Sequence, residues 1–589
     1  MINTITENID IWTTAQTRKS KGRGRSVDNQ AQHGIEKLRE LILDLAVRGK
    51  LIPQDPNDES ASVLLNKVAK KKTRLIEEGK IRAQKSSSDI TEEEKTIELP
   101  DGWLWIRLNE YYDVRDGTHD SPKQTSSGYP LVTSKNLYSG KLDLSNVSYI
   151  STKDHLKIIE RSKVDLDDIL FAMIGSIGNP VIVDTKEEFS IKNVALFKYY
   201  SRKLSNPRYL QIFLLLASFE LKEKAAGGVQ SFVSLGKLRN HLMPLPPLAE
   251  QHRIVAKVDE LMELCDQLEQ EQTENNKVHE TLVNTLLNIL TSAKDQAEFE
   301  EAWKRISQNF DVLFTTEQSI DQLKQTILQL AVMGKLVPQN PDDEPASVLL
   351  DKIAKEKAKL VKEGKLKAQE PLPDITEEEQ PFDLPESWEW VTWQKILSLD
   401  GEAFKRGPFG SSLKKNMFVE KGYKVYEQYC PINDDCSFER YYITKEKFEE
   451  MQTFEVMAQD YLISCSGATL GRITQVPIVY KKGIINQALL RVRINHKYID
   501  GEYFKLLFRS PYFQRLLIVN STGSAIPNLK GVRELKKMPV PLLSINEQQK
   551  IIKRLKELFD ICDALKQKII ESQETKVHLA DAIVKQAVA

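Results

Sequence analysis

The chain contains two copies of one long segment, and this internal repeat limits what it can fold into. "LAVRGKLIPQDPNDESASVLL" at positions 45–65 returns as "LAVMGKLVPQNPDDEPASVLL" at positions 330–350. The copies align without a gap from 35–105 and from 320–390, with 40 of 71 positions identical. Solenoid repeats recur every 20–50 residues or so, far below the 285-residue spacing here. The repeat therefore indicates a duplicated half-molecule.

The distribution of charge favours a polyanionic partner, although the net charge is only −1. Residues 106–240 hold 19 Lys and Arg against 15 Asp and Glu, and residues 391–537 hold 23 against 15. Residues 241–318 between them hold 6 against 15. Two basic blocks at equivalent places in a duplicated chain are typical of a protein that binds nucleic acid.

The sequence also excludes several classes of protein. It has no apolar run of about 18 residues, so no transmembrane helix is expected, and the N-terminus has no apolar signal region. Five cysteines with one close pair, Cys430 and Cys436, predict a reducing cytoplasm. We interpret that pair as ordinary cysteines, because no His or Cys cluster has the spacing of a zinc site.

Apolar periodicity, glycines and prolines divide the 589 residues into several domains. The predicted fold class is α+β, with two mixed α/β globular domains separated by long antiparallel coiled-coil helices and related by an internal pseudo-twofold repeat. Residues 1–34, with "TRKSKGRGRS", predict a flexible basic arm, either a disordered tail or a phosphate-contacting arm. The other predicted domains are a helical repeat (35–98), a first globular domain (99–247), a long spacer helix (248–292), a helical linker (293–318), a second helical repeat (319–383), a second globular domain (384–543) and a long C-terminal helix (544–589).

The two globular blocks share a predicted order of elements but little sequence. Residues 165–184 and 459–480 both predict a strand, a glycine turn and a strand. Each block continues with an apolar strand centred on an asparagine, Asn193 or Asn486, then an aromatic helix and a glycine loop. A common framework with different inserts suits two readers of different targets.

Each block closes with a proline-rich turn and a long helix whose apolar positions alternate in steps of four and three, which is a coiled-coil seam. We interpret His279 as a polar seam residue that sets the register, and Cys265 and Cys562 as equivalent small apolar seam residues. The first seam is predicted at Ile254, Val258, Leu261, Cys265, Leu268, Gln272, Asn275, His279, Leu282, Leu286 and Ile289. The second is predicted at Ile551, Leu555, Leu558, Cys562, Leu565 and Ile569.

Motifs for catalysis are missing. The sequence has no G-x-x-x-x-G-K-[ST] phosphate loop and no H-E-x-x-H metal motif. "GSIGNP" (175–180) lacks dinucleotide-loop spacing, and Asn179-Pro180 lacks the aromatic residue that would stack a flipped base. The carboxylates of "DITEEEK" are interpreted as a capped, solvated turn. These absences favour a binding and organising role.

Three paired motifs resemble the DNA-specificity subunit of type I restriction–modification systems. They are "LAVRGKLIPQ" with "LAVMGKLVPQ", "LPDGWLW" with "LPESWEW", and the closing P-x-P-P-L-x-E-Q that begins at Pro244. The second closing turn departs from this pattern and reads "PVPLLSINEQ", with two extra residues before Glu547. The resemblance covers the chain from about residue 34 onward.

The resemblance implies that two target-recognition domains each read one half of a split, asymmetric double-stranded DNA site. It also implies that the helices dock two methyltransferase subunits, which two restriction and translocase subunits join. S-adenosylmethionine, ATP and Mg²⁺ would bind those partners, and this chain would bind no cofactor or metal and catalyse neither reaction. Readers on one face of the duplex should have half-sites centred about 10 bp apart, so half-sites of about 3–4 bp leave a gap of about 6–8 bp.

Polar loops early and late in each block are the candidate reading residues, because Arg or Lys suits guanine and Asn or Gln suits adenine. Each could instead contact a phosphate or be an ordinary surface residue. In the first block the candidates are Thr118, His119, Lys123, Lys135, Asn136, Gln230 and Ser231. In the second they are Lys405, Arg406, Ser411, Lys414, Lys415, Gln428, Ser524, Asn528 and Lys530.

Two other functions remain open from the residues alone. The chain could be a nuclease or methyltransferase with a divergent site, or a coiled-coil protein-interaction scaffold that does not read DNA. Methylation or cleavage by the purified chain would support the enzyme, and salt-dependent DNA binding would exclude the scaffold.

Overall fold

The computed structural model of the chain folds into two compact units. Unit 1 is Met1–Asn276 together with Glu571–Ala589, and unit 2 is Lys277–Ile570. No helix in the described part of the chain is long and apolar enough to cross a membrane. The described residues are 2–18, 30–82, 89–138, 140–225, 232–366, 372–399, 403–408, 412–465, 467, 469–517 and 529–588.

Unit 1 combines helices with short strands, as expected for an α+β chain. Its helices are α1 (Ile2–Glu7), α2 (Ile9–Thr14), α3 (His33–Val47), α4 (Ala61–Glu77), α5 (Leu108–Tyr111), α6 (Thr152–Ser162), α7 (Pro207–Ala225), α8 (Leu235–Arg239) and the first part of α9 (Leu248–Ser292). Its strands are β1 (Thr17–Arg18), β2 (Gln30–Ala31), β3 (Leu104–Arg107), β4 (Tyr112–Asp116), β5 (Gln124–Thr125), β6 (Tyr129–Val132), β7 (Leu137–Tyr138), β8 (Lys141–Leu142), β9 (Ser148–Ile150), β10 (Ile169–Ala172), β11 (Gly178–Ile182), β12 (Ser190–Ile191), β13 (Val194–Tyr199) and β14 (Leu242–Leu245).

Unit 2 repeats this composition. Its helices are the rest of α9, then α10 (Gln296–Gln308), α11 (Phe310–Leu313), α12 (Glu317–Val332), α13 (Ala346–Lys362), α14 (Tyr429–Asn433), α15 (Lys445–Glu450), α16 (Gly501–Arg509), α17 (Pro511–Leu517), α18 (Val532–Lys537) and the first part of α19 (Ile545–Val588), which ends in unit 1. Its strands are β15 (Glu389–Thr392), β16 (Phe404–Arg406), β17 (Tyr423–Tyr426), β18 (Tyr441–Ile443), β19 (Glu455–Val456), β20 (Tyr461–Ser464), β21 (Ile473–Gln475), β22 (Gly483–Ile485), β23 (Leu489–Val492) and β24 (Pro539–Leu542).

Each globular domain holds two four-stranded sheets. The first sheets match in strand order, whereas the fourth strand of the second sheet lies beside β9 in unit 1 and beside β22 in unit 2. In unit 1 an antiparallel sheet has the order β11-β10-β13-β4, and in unit 2 the matching order is β21-β20-β23-β16. The second sheet contains one parallel pair in each unit, β6 with β12 and β17 with β22. The apolar runs "ILFA" and "YLIS" are buried along their whole length because β10 and β20 are inner strands. The predicted strand, glycine turn and strand is confirmed in both blocks.

A buried ion pair occupies the same place in both domains. Lys198 bonds to Asp168 in unit 1, and Arg493 Nε bonds to Asp460 Oδ1 at 2.7 Å in unit 2. Burial raises the pKa of both carboxyl groups, while the adjacent cation opposes that rise. Removing one partner would leave a buried charge without compensation, so the pair constrains both domains to the same framework.

In unit 1 the repeated segment binds the start of α9. Trp103 Nε1 donates to Glu250 Oε2 at 2.9 Å, and Arg253 Nη2 donates to Asp58 Oδ2 at 2.6 Å. Glu250 is fully buried, and burial raises its pKa. We name these four residues the clasp of unit 1, because they join the repeat to the long helix.

Unit 2 contains an equivalent clasp, formed by Gln339, Asp343, Glu547 and Lys550. Lys550 Nζ bonds to Asp343 Oδ2 at 2.8 Å, and Gln339 Nε2 donates to Glu547 Oε1 at 2.7 Å. The backbone agrees as well, since Ala61 N donates to Gly102 O and Ala346 N to Ser387 O, both at 2.8 Å. The segment occurs twice in the sequence because each copy makes the same contact with a long helix.

The prediction of two extra residues in the second closing turn is wrong. Pro244 pairs with Trp105, and Pro541 pairs with Trp390, which is the equivalent tryptophan of the repeat. Pro244 and Pro541 then each lie six positions before the glutamate, Glu250 or Glu547. Strand pairing sets the register, so Pro541 is equivalent to Pro244. Pro539 is not, although the sequence that begins there resembles the first closing motif.

The prediction of a flexible arm is wrong for its first part. Residues 2–14 form α1 and α2, and Trp12 is completely buried in the core of unit 1. Gly34 permits this contact, because a Cβ there would lie 2.3 Å from the carbonyl oxygen of Trp12. A tryptophan contributes a large apolar area, which anchors the segment on α3. Most of the basic sequence, 19–29, lies outside the described residues.

The long helices confirm most of the predicted seams, with one shift. In α9, Ile254, Val258 and Cys265 are buried as predicted. Near its end Val283, Leu287 and Leu290 are buried, whereas the predicted seam residues Leu282 and Ile289 are exposed. A 3.5-residue repeat drifts about 20° per heptad from a straight α-helix, so five heptads amount to about one residue. In α19, Ile551, Leu555 and Cys562 are buried as predicted.

Gly49 gives a test of the contact between the end of α3 and Trp103. It ends α3 with φ +68°, and a Cβ there would lie 2.6 Å from Pro100 Cγ and 2.9 Å from Trp103 Cζ2. We expect Gly49→Ala to lower the unfolding free energy by about 2–4 kcal/mol, which combines left-handed strain with overpacking. Gly79 ends α4 with φ +67° and nothing within 4 Å of a Cβ, so Gly79→Ala should cost only about 1–2 kcal/mol. Denaturant unfolding measures both, and equal losses would contradict the steric argument.

We expect His155 to make unit 1 sensitive to acid. It is buried on α6, stacks on Tyr129 at 3.8 Å between ring centroids, and its Nδ1 lies 3.0 Å from Ser190 Oγ. Burial lowers its pKa below 6.5, and nearby Glu188 opposes this shift. The unfolded chain therefore binds the proton more tightly, and stability is lost as pH falls from about 6.5 towards the folded-state pKa.

Phe448 occupies the equivalent place in unit 2, four residues after the helix-capping Thr444, and stacks on Tyr423 at 4.2 Å. We expect His155→Phe, with Ser190→Ala, to gain stability relative to the unmodified chain as pH falls. The reciprocal Phe448→His should make β17 and α15 newly sensitive to acid. Hydrogen exchange of the two sheets at pH 7.5 and 5.5 measures both effects. An equal change in protection between these pH values for the unmodified chain and both variants would refute them.

Candidate DNA interface

One edge of each globular domain collects polar residues, at the carboxyl ends of the parallel strands. In unit 1, β6 and β12 end side by side, where Lys192 N donates to Val132 O at 2.9 Å. In unit 2, β17 and β22 end in the same way, where Asn486 N donates to Tyr426 O at 3.0 Å. We name this region the polar edge. It comprises residues 116–119, 133–136 and 192–193 in unit 1, and 406–407, 427–428 and 486–487 in unit 2.

A glycine brings the first loop against this edge in both units. A Cβ on Gly117 would lie 2.2 Å from the carbonyl oxygen of Ile191, and one on Gly407 would lie 1.8 Å from that of Asn486. Gly117 N donates to Val194 O, and Gly407 N to Leu489 O, at 3.0 and 2.8 Å. Only glycine permits so close an approach, so in both units a glycine brings the loop against the end of the parallel strand, at Ile191 in unit 1 and one position further along at Asn486 in unit 2.

The candidate reading residues Thr118 and His119 lie at the polar edge. Thr118 N donates to Ile191 O at 3.0 Å, and its carbonyl accepts from Asn193 N at 3.1 Å. His119 is exposed, with Nδ1 3.0 Å from Asn193 Oδ1 and Nε2 2.9 Å from Asp116 Oδ2. Both residues are therefore held in place before any ligand binds.

Asn136 is a structural residue and not an available reading group, which corrects its selection from the sequence. It is 5% exposed, and its Oδ1 accepts from Thr133 N and Oγ1 at 2.9 and 3.1 Å. Its Nδ2 donates to the carbonyl oxygens of Asp143 and Asn146. With its hydrogen-bonding capacity used internally, Asn136 shapes the turn that presents the exposed Lys135.

In unit 2 Gln428 is brought to the edge, and its Nε2 donates to Ser464 Oγ at 2.9 Å at the end of β20. Arg406 is exposed at the end of β16, immediately before Gly407. Lys405 lies over the ring of Phe454 at 5.1 Å. Gln428 and Arg406 therefore belong to the polar edge, whereas Lys405 packs on an aromatic side chain.

The remaining candidates are spread more widely. Lys123, Lys414 and Lys415 are exposed, and the backbone N of Lys530 donates to Leu517 O. No hydrogen bond or ion pair found among the described residues joins Lys414 or Lys415 to the polar edge. Gln230, Ser231, Ser411, Ser524 and Asn528 lie outside the described residues. Val233 and Leu529, which follow the late loops, bond to Met173 and Cys465 at the ends of the inner-strand segments.

Sequence reasoning missed two cations at the polar edge of unit 1. Lys192 Nζ donates to Ser121 Oγ at 2.6 Å. Arg161, on the last turn of α6, bonds to the buried Asp116 while 64% of its own side chain stays exposed. Lys192 lies beside Asn193, which the sequence had singled out, so its neighbour was a usable signal. Arg161 lies 45 residues from Asp116 and gave no such signal.

Asn136 and its neighbour give a matched test of these assignments. We expect Asn136→Ala to lower the unfolding free energy by about 2–3 kcal/mol, because it leaves buried backbone and hydroxyl groups without partners. Lys135→Ala, at the exposed neighbouring position, should change it by less than about 0.5 kcal/mol. Denaturant unfolding decides, and a neutral Asn136→Ala would return that residue to the candidate reading groups.

Comparisons with known proteins match both globular blocks. A family model described as "Type I restriction modification DNA specificity domain" matches residues 100–279 and 407–574, one range for each globular block. The specificity subunits of the type I restriction enzymes EcoAI and EcoEI, both from Escherichia coli, are 37% and 36% identical to this chain. The EcoAI alignment covers 99% of both chains, and the EcoEI alignment 98% of both.

Among solved structures, the HsdS subunit from Thermoanaerobacter tengcongensis is 18% identical, and the match covers 84% of this chain and 98% of that chain with a TM-score of 0.37. The assignment depends on the family model, which matches more than half of the chain, and on the two relatives aligned over nearly its whole length. The chain therefore belongs to the family of DNA-specificity subunits of type I restriction–modification systems.

Proposed function

We propose that the chain reads a bipartite, asymmetric DNA site, with one half-site for each globular domain. As a specificity subunit it recognises the DNA target, and catalysis lies in other subunits. The observation that supports the proposal is the repetition of one framework with different polar edges. Equivalent strands carry Asp116 in one domain and Arg406 in the other, which suits two different base sequences.

The proposed dimensions follow from DNA geometry. Half-sites read from one face of the duplex lie about one helical turn apart, roughly 10 bp between centres. With half-sites of about 3–4 bp, the gap between them is about 6–8 bp. The candidate contacts are the exposed groups of the polar edges and the surrounding loops, among which Arg and Lys would read guanine or bind phosphates.

The proposed partners are two methyltransferase subunits and two restriction and translocase subunits, assembled on this chain in the cytoplasm. S-adenosylmethionine, ATP and Mg²⁺ would bind those subunits. Among the described residues, no group of three or more His, Cys, Asp and Glu side chains is placed to hold a metal ion.

Mapping of methylated adenine tests the proposal directly. Co-expression with a methyltransferase subunit of the same system should methylate a split motif with a gap of about 6–8 bp. Inserting one helical turn of residues in the "LAVRGKL" segment should lengthen that gap and leave both half-sites unchanged. Methylation of one continuous motif, or a gap that ignores the insertion, would contradict the bipartite reading.

A control separates recognition from assembly. Co-purification of the two subunits shows whether the complex forms, independently of methylation. A stable complex that methylates nothing would leave the scaffold function and remove DNA reading. Methylation by the chain without the partner would instead support the divergent-enzyme alternative.

A further inference from the structure

Equivalent positions in the two domains carry opposite charges at the polar edge. Asp116 pairs with Ala195 in the antiparallel sheet of unit 1, and Arg406 pairs with Leu490 in that of unit 2. Gly117 or Gly407 follows, with the close backbone approach described above. The same point of the framework therefore presents a carboxylate in one domain and a guanidinium in the other.

The carboxylate in unit 1 does not itself face outward. Asp116 is 4% exposed, and each of its oxygens has a partner, Arg161 on Oδ1 and His119 on Oδ2. A buried carboxylate would repel DNA if it stood alone, but here it is paired with an outward-facing guanidinium. Unit 1 thus places an arginine at the polar edge indirectly, from helix α6.

Arg161 is held from two directions. Its guanidinium bonds to Asp116, and its carbonyl oxygen accepts from Arg115 Nη1 at 3.2 Å. Helix α6 is fixed at its other end, where Ser151 Oγ accepts from Asp154 N at 3.1 Å. A guanidinium has five N–H donors, so binding Asp116 leaves donors for a second acceptor. Such pre-orientation lowers the entropy lost when a ligand binds.

We propose that Arg161 is a specificity-determining contact of unit 1, that it reads a guanine, and that Asp116 is the positioning residue that aims it. In unit 2 Arg406 supplies the equivalent guanidinium directly from β16. This inference depends on the proposed bipartite reading. Guanine is the assigned base because its O6 and N7 accept a bidentate arginine in the major groove.

The experiment is a selection of methylated sites from a DNA library with both half-sites randomised, using the complex with its methyltransferase subunit. We expect Arg161→Ala to lose discrimination for G·C at one position of the unit 1 half-site by about tenfold or more. The unit 2 half-site should be unchanged, which reports that the complex is folded. Arg406→Ala should give the reciprocal result. Lys157→Ala, on the exposed face of α6, is the matched cation control and should alter neither half-site.

Asp116→Asn tests positioning, because it keeps the shape of the side chain and removes its charge. It should weaken discrimination at the same base pair as Arg161→Ala, and the double variant should lose no more than Arg161→Ala alone. Weakening at every base pair of the half-site would indicate a structural role and overturn the positioning assignment. Arg161→Gln, which can still bond to Asp116, serves if Arg161→Ala fails to fold.

The salt dependence of binding distinguishes a base contact from a phosphate contact. A uniform loss of affinity over all sequences, with the salt slope reduced by about one, would make Arg161 a phosphate contact and overturn the proposal. An unchanged half-site would overturn it as well. If the unmodified complex selects no split motif, the bipartite function fails first, before Arg161 is tested.

Discussion

The clasp at the start of each long helix is the contact on which the rest of the structure depends. The strand that precedes the helix belongs to the globular domain, and the helix itself continues into the other unit. The direction of the helix is therefore set where Trp103 donates to Glu250 and Arg253 binds Asp58. Hydrogen bonds to a buried charged group are among the stronger ones, and both partners must be kept. This explains why the repeat is more alike between the two halves than the domains it supports.

Within the globular domains, some contacts are kept between the two units while the residues that make them change. The pairs Asp168 with Lys198 and Asp460 with Arg493 keep the ion pair but change the cation. The stack of Tyr129 on His155 becomes Tyr423 on Phe448, with geometry retained and polarity lost. Backbone pairing survives such changes because strand register is set by the apolar pattern of the strands and by turn geometry, which these exchanges leave in place. A duplicated framework can therefore diverge at its edges without losing its fold.

Much of this architecture could be predicted from the sequence, because long periodic segments and paired motifs indicate local structure directly. The strand pairs around residues 165–184 and 459–480, the long helices and most seam residues were predicted correctly. The errors share a cause, which is that contacts distant in sequence override local patterns. Trp12 is buried by α3 despite its polar surroundings, and strand pairing makes Pro541 match Pro244. At the polar edge, the sequence indicated polar loops as candidates, but it could not show the internal hydrogen bonds of Asn136.

Under the proposed function, the charge reversal between Asp116 and Arg406 is a way for such an edge to change its target. An exposed arginine on the strand needs no support, since its charge is solvated. A carboxylate at that point would oppose DNA unless it were buried and paired, and in unit 1 Arg161 and His119 provide the partners. The pairing then fixes the cationic group by a hydrogen bond, not by its own backbone. The guanidinium is thus supplied by a helix in unit 1 and by a strand in unit 2, while the strand order of the sheet beneath is the same.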